Sequence, residues 1–458
     1  SSISDAKYNF VDYAMYSPEN DGEKHPLIIF FHGMGEGGAG SLKNHGVQMY
    51  AYPECNFADK EIQEIMGGKA YVLLPQSPET WPTNGFTNES GYLEVVNSLI
   101  DSMIEANPGI DTNRIYVGGL SMGGYMASRV ILNRPEKYAA AFLCSQAYAI
   151  TEEDAAKLVD LPIWISCSEA DGTCRMDPYT YASYEKLVAA GGKEVKCAVM
   201  EDNSSDPTSR FRFYSSDSSD YVLYNAEQEN ENKIKGQFVW DNVSYSGHNG
   251  GWVPVFANGE YYLKDDGTKV TIMEWVAAQS LVSEVAVDVS KAKTEYNIGD
   301  AFSTDGLVVN ITCKDGSKKT VTDYKVTAPD MSTAGTKEVT VTYSGIKAVY
   351  SIKINAAGSV TPPVNTPVVT PVPTVNNPSG GDVVQVFKVA KKKLTVKKGK
   401  KVKIKVTVSP KTTVKFKSSK PKIAKVTKKG VVKGIKKGKA KITVTAFGKK
   451  KTVTIKVK

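Results

Sequence analysis

Apolar runs long enough to cross a bilayer are missing from this chain of 458 residues. Stretches such as Pro26 to Phe31 and Ala70 to Leu74 have the length of core strands, far short of the 18 or so residues that a membrane helix needs. That excludes a helical integral membrane protein. Cysteine is scarce: Cys55, Cys144, Cys167, Cys174 and Cys197 fall in the first part of the chain and Cys313 stands alone further on, too few for a disulfide scaffold. One bridge is compatible with this distribution, with Cys174, in a loop, as a candidate member. No CxxC pair and no Cys/His cluster has zinc spacing, so neither a structural metal nor an organic cofactor is expected. Histidine is limited to His25, His32, His45 and His248. Arginine and acidic residues are absent after Asp382. The 76 residues from Val383 to Lys458 hold 28 lysines and carry +28, leaving 29 basic against 49 acidic groups in residues 1–382. The formal net charge of +8 therefore describes neither part.

What is present reads as a multidomain globular protein. A hydrophobic content of 41% with 23% charged residues is ordinary, and at roughly 150 residues per domain the length suggests about three domains. The chain begins at Ser1 and not at Met, as a mature exported or trimmed protein would. Up to about Val282, short apolar runs alternate with helical stretches. His25 to Phe31, Ala70 to Leu74, Arg114 to Gly118, Ala139 to Leu143, Pro162 to Ser166 and Val195 to Met200 read as buried strands. Tyr92, Val95, Val96, Leu99, Ile100, Met103 and Ile104 recur at three- and four-residue steps and predict one helical apolar face, and Thr271 to Leu281 reads as the last helix. This alternation predicts an α/β fold, a doubly wound, mostly parallel sheet covered on both faces. From 283 to 355 the period changes to two, with Asp-Gly and Ala-Gly turns, which predicts a sandwich of about seven strands. Residues 356–382, with six prolines among Val, Thr, Asn and Gly, read as a semi-extended spacer. Residues 383–458 alternate Val or Ile with Lys and predict a second all-β sandwich with lysine on its wet face.

The sharpest chemical signal is Gly119-Leu120-Ser121-Met122-Gly123, directly after a strand and opening a helix. A nucleophile on a sharp strand-to-helix turn needs small neighbours, and the helix N-terminus favours developing negative charge. A serine hydroxyl is a poor nucleophile without a positioned base. His248, in Ser246 to Trp252, is the one histidine after Ser121, in a loop that a doubly wound sheet would deliver to the carboxyl ends of its strands. The third member should be a carboxylate after the strand Pro162 to Ser166. Asp171 is the first candidate, with Glu169 and Asp177 as rivals. The order Ser121, Asp171, His248 is that of nucleophile, acid and base in α/β-hydrolases. Backbone amides must then hold the oxyanion, and those of Met122 and Met34 are the expected donors, the second in the glycine-rich run His32 to Gly38. Such a loop could instead cradle phosphate, but no P-loop signature accompanies it and a nucleotide site is not expected.

Phe30 to Gly38, Pro75 to Trp81, Arg114 to Tyr125, Cys167 to Asp171 and Gly247 to Trp252, in this order, resemble the α/β-hydrolase branch of secreted esterases. That branch includes feruloyl esterases, polyhydroxybutyrate-depolymerase-like esterases and relatives described as predicted peptidases. The resemblance covers residues 1–282. Residues 283–355, with Tyr296 to Asp300, Asp315-Gly316 and Ser332 to Thr336, resemble a bacterial Ig-like domain. Residues 383–458, with Leu394 to Gly399 and Lys417 to Pro421, resemble a second group of such domains. The resemblance implies a secreted or surface-bound bacterial serine carboxylesterase, acting on feruloyl or acetyl esters of plant cell-wall polysaccharide. Alternatives are a polyester depolymerase, a serine peptidase on the same machinery, and a surface adhesion protein with a vestigial hydrolase domain.

Gly33, Trp81, Gln146 and Trp252 are the expected substrate-binding residues, the two tryptophans because aromatics beside the nucleophile suit a ring-bearing or sugar-linked acyl group. Two features depart from the family pattern. Cys167-Ser168 stands where many relatives have His-Gly, and Glu201 to Trp240 is longer than compact members need. The longer stretch reads either as a lid or rim over the cleft or as a surface excursion. The lysine-rich end suits a diffuse polyanion. An anionic cell-wall polymer is its expected partner; nucleic acid is not, since no aromatic platform accompanies the charge.

Overall fold

A computed structural model of the chain describes residues 3–8, 11–38, 54–86, 89–201, 210–216, 222–225, 238–240, 243–245, 247–256, 260–262, 269–356, 386–389, 393–404, 406–409, 414–427, 430–446 and 449–458. It divides into two compact units, Ser1–Thr361 and Pro362–Lys458. The expected spacer over 356–382 lies outside the described residues beyond Ala356, as does His45.

The first unit is built on ten strands: β1 (Ile3–Tyr8), β2 (Val11–Tyr16), β3 (His25–Phe31), β4 (Tyr71–Gln76), β5 (Ile110–Leu120), β6 (Ala140–Cys144), β7 (Ile163–Ser168), β8 (Val195–Glu201), β9 (Arg210–Ser215) and β10 (Val222–Asn225). They lie in the order β1-β2-β4-β3-β5-β6-β7-β8-β9-β10. The six central strands are parallel, and antiparallel pairs close both edges. Period-two geometry explains how β3 can be apolar throughout. Leu27, Ile29 and Phe31 enter one core layer while Ile28 and Phe30 enter the other, all at 0% exposure.

Helices α1 (Lys60–Ile65), α2 (Leu93–Ala106), α3 (Met122–Asn133), α4 (Glu152–Lys157), α5 (Tyr181–Ala189), α6 (Val253–Phe256) and α7 (Ile272–Ala277) accompany the sheet. Helix α2 buries Leu93, Val96, Leu99 and Ile100, the stripe that the three- and four-residue steps predict. Helix α7 starts at a capping box between Thr271 and Glu274. It stops at Ala277, short of the expected Leu281, because the chain there turns into the next domain and the Leu281 amide donates to the Asn113 carbonyl. Part of Glu201 to Trp240 is neither lid nor excursion, since β9 and β10 extend the main sheet. Near its end, β11 (Phe238–Trp240) pairs with β12 (Val243–Tyr245), and β13 (Glu260–Tyr262) pairs with β14 (Lys269–Thr271). The rest of that stretch is outside the described residues.

Seven strands follow in the same unit: β15 (Val282–Asp288), β16 (Glu295–Asn297), β17 (Val308–Cys313), β18 (Lys318–Val321), β19 (Lys325–Thr327), β20 (Gly335–Tyr343) and β21 (Ile346–Asn355), in two facing sheets. The two-residue turn between β20 and β21 has positive φ at both Ser344 (46°) and Gly345 (81°), as a right-twisted hairpin requires. That turn docks on the α/β domain. The Ser344 hydroxyl donates to Asp111 Oδ1 (3.1 Å) and accepts from Asn113 Nδ2 (3.0 Å), and Lys325 pairs with Glu23 at 2.8 Å. Asp111 and Asn113 sit at the start of β5, and Ser121 follows its end. At about 3.3 Å per residue the docked sandwich is some 30 Å of strand away from Ser121.

The second unit contains β22 (Val386–Val389), β23 (Lys393–Val396), β24 (Lys401–Lys403), β25 (Val406–Ser409), β26 (Lys415–Ser418), β27 (Ala424–Val426), β28 (Val431–Gly434), β29 (Gly438–Ala446) and β30 (Lys449–Val457). Its four-stranded sheet runs β23-β30-β29-β26 and its three-stranded sheet β24-β28-β27. Val396, Ile442, Val444, Val453 and Ile455 from the first meet Ala424 and Val432 from the second in one core. Among the described residues no helix is long and apolar enough to cross a membrane.

Candidate active site

Strand β5 ends on Gly118-Gly119-Leu120, and the chain reverses into α3 at Ser121 with φ 54° and ψ −118°. This is the left-handed region that a non-glycine residue occupies only when its surroundings enforce it. They do so by close approach. A Cβ on Gly123 would lie 1.9 Å from the Phe31 carbonyl oxygen, and one on Gly119 would lie 2.3 Å from that of Gly123. The Ser121 amide donates to the Cys144 carbonyl (2.9 Å), and its own carbonyl accepts from the Ala147 amide (2.9 Å). Ser121 occupies the N-cap position of α3, yet its side chain makes no capping hydrogen bond. The hydroxyl is turned into a cleft instead.

The cleft encloses about 320 Å³ and has Ser121 and His248 in its lining. Gly33, Met34 and Met122 line it together with Phe86, Cys174, Tyr179 and Trp252. His248 sits in the short turn Gly247–Gly251. Its Nδ1 lies 2.8 Å from Asp171 Oδ2, and Asp171 is 3% exposed. The other carboxylate oxygen accepts from the amides of Thr173 and Cys174, both at 2.8 Å. Burial alone would raise the Asp171 carboxyl. The hydrogen bond and charge of His248, with those two amides, outweigh it and hold the group below its ordinary value. The rivals Glu169 and Asp177 are exposed. Of the three acids, Asp171 is the one that reaches the imidazole.

Ser121 and His248 are not hydrogen-bonded to each other in this structure. The serine Oγ has Cys174 Sγ at 3.9 Å. Hydroxyl–imidazole hydrogen bonds in unliganded sites are commonly long and tighten with substrate. The Met122 amide is the first of α3 and has no intrahelical acceptor by geometry. Gly33 and Met34 line the same cleft, with Met34 62% exposed.

Two expected contacts of the substrate require correction. Trp81 is fully buried and is not among the residues lining the cleft. Its ring packs on Phe31 and His32, and its Nε1 donates to the His32 carbonyl at 3.2 Å. Gln146 is also fully buried: Nε2 donates to the Tyr179 carbonyl and Ser183 Oγ, and Oε1 accepts from Ser128 Oγ. Both are struts. Trp81 fixes the loop carrying Gly33 and Met34, and Gln146 ties α3 to the segment entering α5. Gly33 and Trp252 do line the cleft, Trp252 with its ring 98% covered against Phe256. Cys174, the candidate for a bridge, is a free thiol, as are Cys144, Cys167, Cys197 and Cys313. Burial and the nearby Asp171 charge push the Cys174 thiol up to about 12, so it stays neutral beside Ser121.

Two groups escaped sequence reasoning. Ser145, with φ 42°, donates from Oγ to the His248 carbonyl at 2.8 Å and so ties the histidine turn to the end of β6. Its position, one residue beyond a buried strand, is the signal that could have found it. Glu36 is the other. Gly33, Gly35 and Gly38 have the G-x-G-x-x-G spacing of a dinucleotide loop, but the buried Glu36 carboxyl accepts from the Gly33 amide at 3.0 Å, occupying a donor that a phosphate would need. His32 braces the same loop, with Nδ1 2.7 Å from the Gly33 carbonyl and Nε2 accepting from the Ser77 amide.

Residues 18–206 match the phospholipase/carboxylesterase family, residues 289–354 the bacterial Ig-like domain of group 3, and residues 383–457 that of group 2. The chain thus carries a carboxylesterase-type α/β-hydrolase fold followed by two bacterial Ig-like domains. No curated protein matches it. Among solved structures, a thermostable esterase is 23% identical over 59% of this chain and 59% of its own, with a TM-score of 0.40. The acylaminoacyl peptidase of Pyrococcus horikoshii is 18% identical over 43% of this chain and 36% of its own, with a TM-score of 0.32. A ferulic acid esterase is 15% identical over 44% and 91%, with a TM-score of 0.34. The chain therefore spans well under two thirds of the first two.

Proposed function

We propose that the first domain is a serine carboxylic ester hydrolase in which Ser121, His248 and Asp171 act as nucleophile, base and orienting acid. The observation that carries this reading is one cleft lined by a serine in a strained turn and by a histidine whose second nitrogen is held by a buried carboxylate. With Nδ1–H donated to Asp171, Nε2 is the basic nitrogen. Ser121 Oγ attacks the ester carbonyl and its proton passes to Nε2. The amides of Met122 and Met34 hold the oxyanion, and collapse returns the proton to the departing alcohol. Water then repeats the sequence on the acyl-enzyme and frees the acid and Ser121.

The walls of the cleft support a small acyl substrate. A cleft of about 320 Å³ is at the lower end of small-molecule sites and suits a single acyl group. Phe86 and Tyr179 offer it aromatic surface, and the Cys174 thiol adds a small apolar contact beside the nucleophile. Feruloyl or acetyl esters on plant cell-wall polysaccharide are the substrates proposed, in an exported or surface-bound enzyme. The test sets the protein beside Ser121→Ala on 4-nitrophenyl acetate, methyl ferulate and a series of aminoacyl amides. Serine-dependent ester turnover without amide cleavage is expected. Amide cleavage at comparable kcat/KM would make it a peptidase, and identical behaviour of the two proteins would leave a vestigial site.

A further inference from the structure

The second unit takes no part in the chemistry above, yet it carries the largest unbalanced charge in the chain. Strand alternation turns its Val and Ile inward and its lysines outward. On the outer face of the four-stranded sheet, Lys393, Lys415, Lys417, Lys439, Lys441 and Lys456 are exposed. Register sets them in rows: Lys439 is directly opposite Lys456, which faces Thr395, and Lys441 is opposite Thr454, which faces Lys393. Lys417 is opposite Thr443. On the three-stranded sheet Lys433 stands between Lys401 and Lys425 in a single row. Cross-strand neighbours are ~4.8 Å apart, and like charges placed directly opposite destabilise a sheet. Residues 383–458 contain no Asp or Glu that could intervene. An external polyanion would relieve this repulsion.

The composition of the face narrows the partner. Residues 383–458 contain no Tyr or Trp, and among the described residues of the four-stranded sheet the one aromatic, Phe416, packs toward the core, so this face shows no described ring for stacking on nucleobases or pyranoses. Threonine hydroxyls lie between the ammonium groups. We propose that the outer face of the four-stranded sheet docks a linear polyphosphodiester of small polyol units, lysines meeting phosphates and threonines meeting hydroxyls. This does not rest on the esterase reading.

The experiment measures binding of the full-length protein to immobilised poly(glycerol phosphate) at 50 and 300 mM salt. Polygalacturonate and double-stranded DNA of equal charge are run in parallel. Salt-sensitive binding is expected, tightest to poly(glycerol phosphate). Lys393→Gln, Lys439→Gln, Lys441→Gln and Lys456→Gln together should weaken it roughly 100-fold at low salt and flatten its salt dependence. The same four positions as Arg should keep affinity within about threefold, because charge is retained. Lys401→Gln, Lys425→Gln and Lys433→Gln together should cost less than the first set. Equal losses from both sets, tighter binding to DNA or polygalacturonate, a loss in the Arg variant as large as in the Gln variant, or no salt-sensitive binding would overturn the proposal.

Discussion

The two Ig-like modules share a two-sheet architecture and treat charge in opposite ways. Residues 283–355 hold nine basic and nine acidic side chains. Several are paired, Lys293 with Asp300 and Lys353 with Glu295 for example, and one turn hydrogen-bonds to the hydrolase through Ser344. Residues 383–458 hold 28 lysines and no acid. A balanced surface can pack against a neighbour of its own chain without burying unpaired charge. An all-lysine surface brings no acid of its own to such pairing and suits a diffuse polyanion. The same fold is docked through a turn in one case and, in the other, is proposed as a binding face.

This contrast is most exposed to failure at the active site. Ser121→Ala should lower kcat/KM on a small ester by at least roughly 10⁴-fold. Removing residues 383–458 should leave it within about twofold, since the cleft lies wholly in the first unit. Next in size is the docking contact. Asp111 is buried and accepts from Arg114 Nε at 2.7 Å as well as from Ser344, so Asp111→Ala should cost about 2–3 kcal/mol of stability, read by denaturant unfolding. In the lysine-rich module, Lys433→Thr should be neutral or stabilise by a few tenths of a kcal/mol, because it separates two like-charge neighbours.

Acid sharpens the comparison further. The Asp171 carboxyl is lower in the folded than in the unfolded state. Its stabilising contribution is therefore complete above the unfolded value near 4 and is lost as pH falls through the lower folded value. Thermal unfolding followed from pH 5 to 3 should show the first unit losing stability, with a shallower loss in His248→Ala. The second unit, whose one acidic side chain is Asp382, should show almost no carboxylate-linked change there. An effect as small is expected of Lys325→Ala. Its pair with Glu23 is exposed on both sides, so unfolding should shift by less than about 0.5 kcal/mol.

Much of this was legible in the chain. Buried parallel strands announce themselves as continuous apolar runs, and Ser121, Asp171 and His248 stand in motifs readable from the sequence, which the fold brings together with Ser121 and His248 at one cleft and Asp171 on the imidazole. The strand-rich ends were legible from period two. What sequence order cannot supply is side-chain direction within loops. Trp81 meets the loop carrying Gly33 and Met34 in space and turns into the core, and Gln146 follows β6 and turns beneath α3. The free thiol of Cys174 beside Ser121 was hidden for the same reason, since 53 residues separate them and only the sheet brings them together. Strands β9 and β10 were missed because their tyrosines and serines give a weak edge-strand pattern, one that pairs only because β8 offers an open edge.

The central claim is that Ser121 is the nucleophile, and covalent trapping tests it most directly. The intact protein would be treated with a fluorophosphonate and the adduct located by peptide mass spectrometry. One adduct per chain on Ser121, lost in Ser121→Ala and strongly slowed in His248→Ala, is the predicted result. An adduct on another serine, or no adduct while ester turnover persists, would contradict the account.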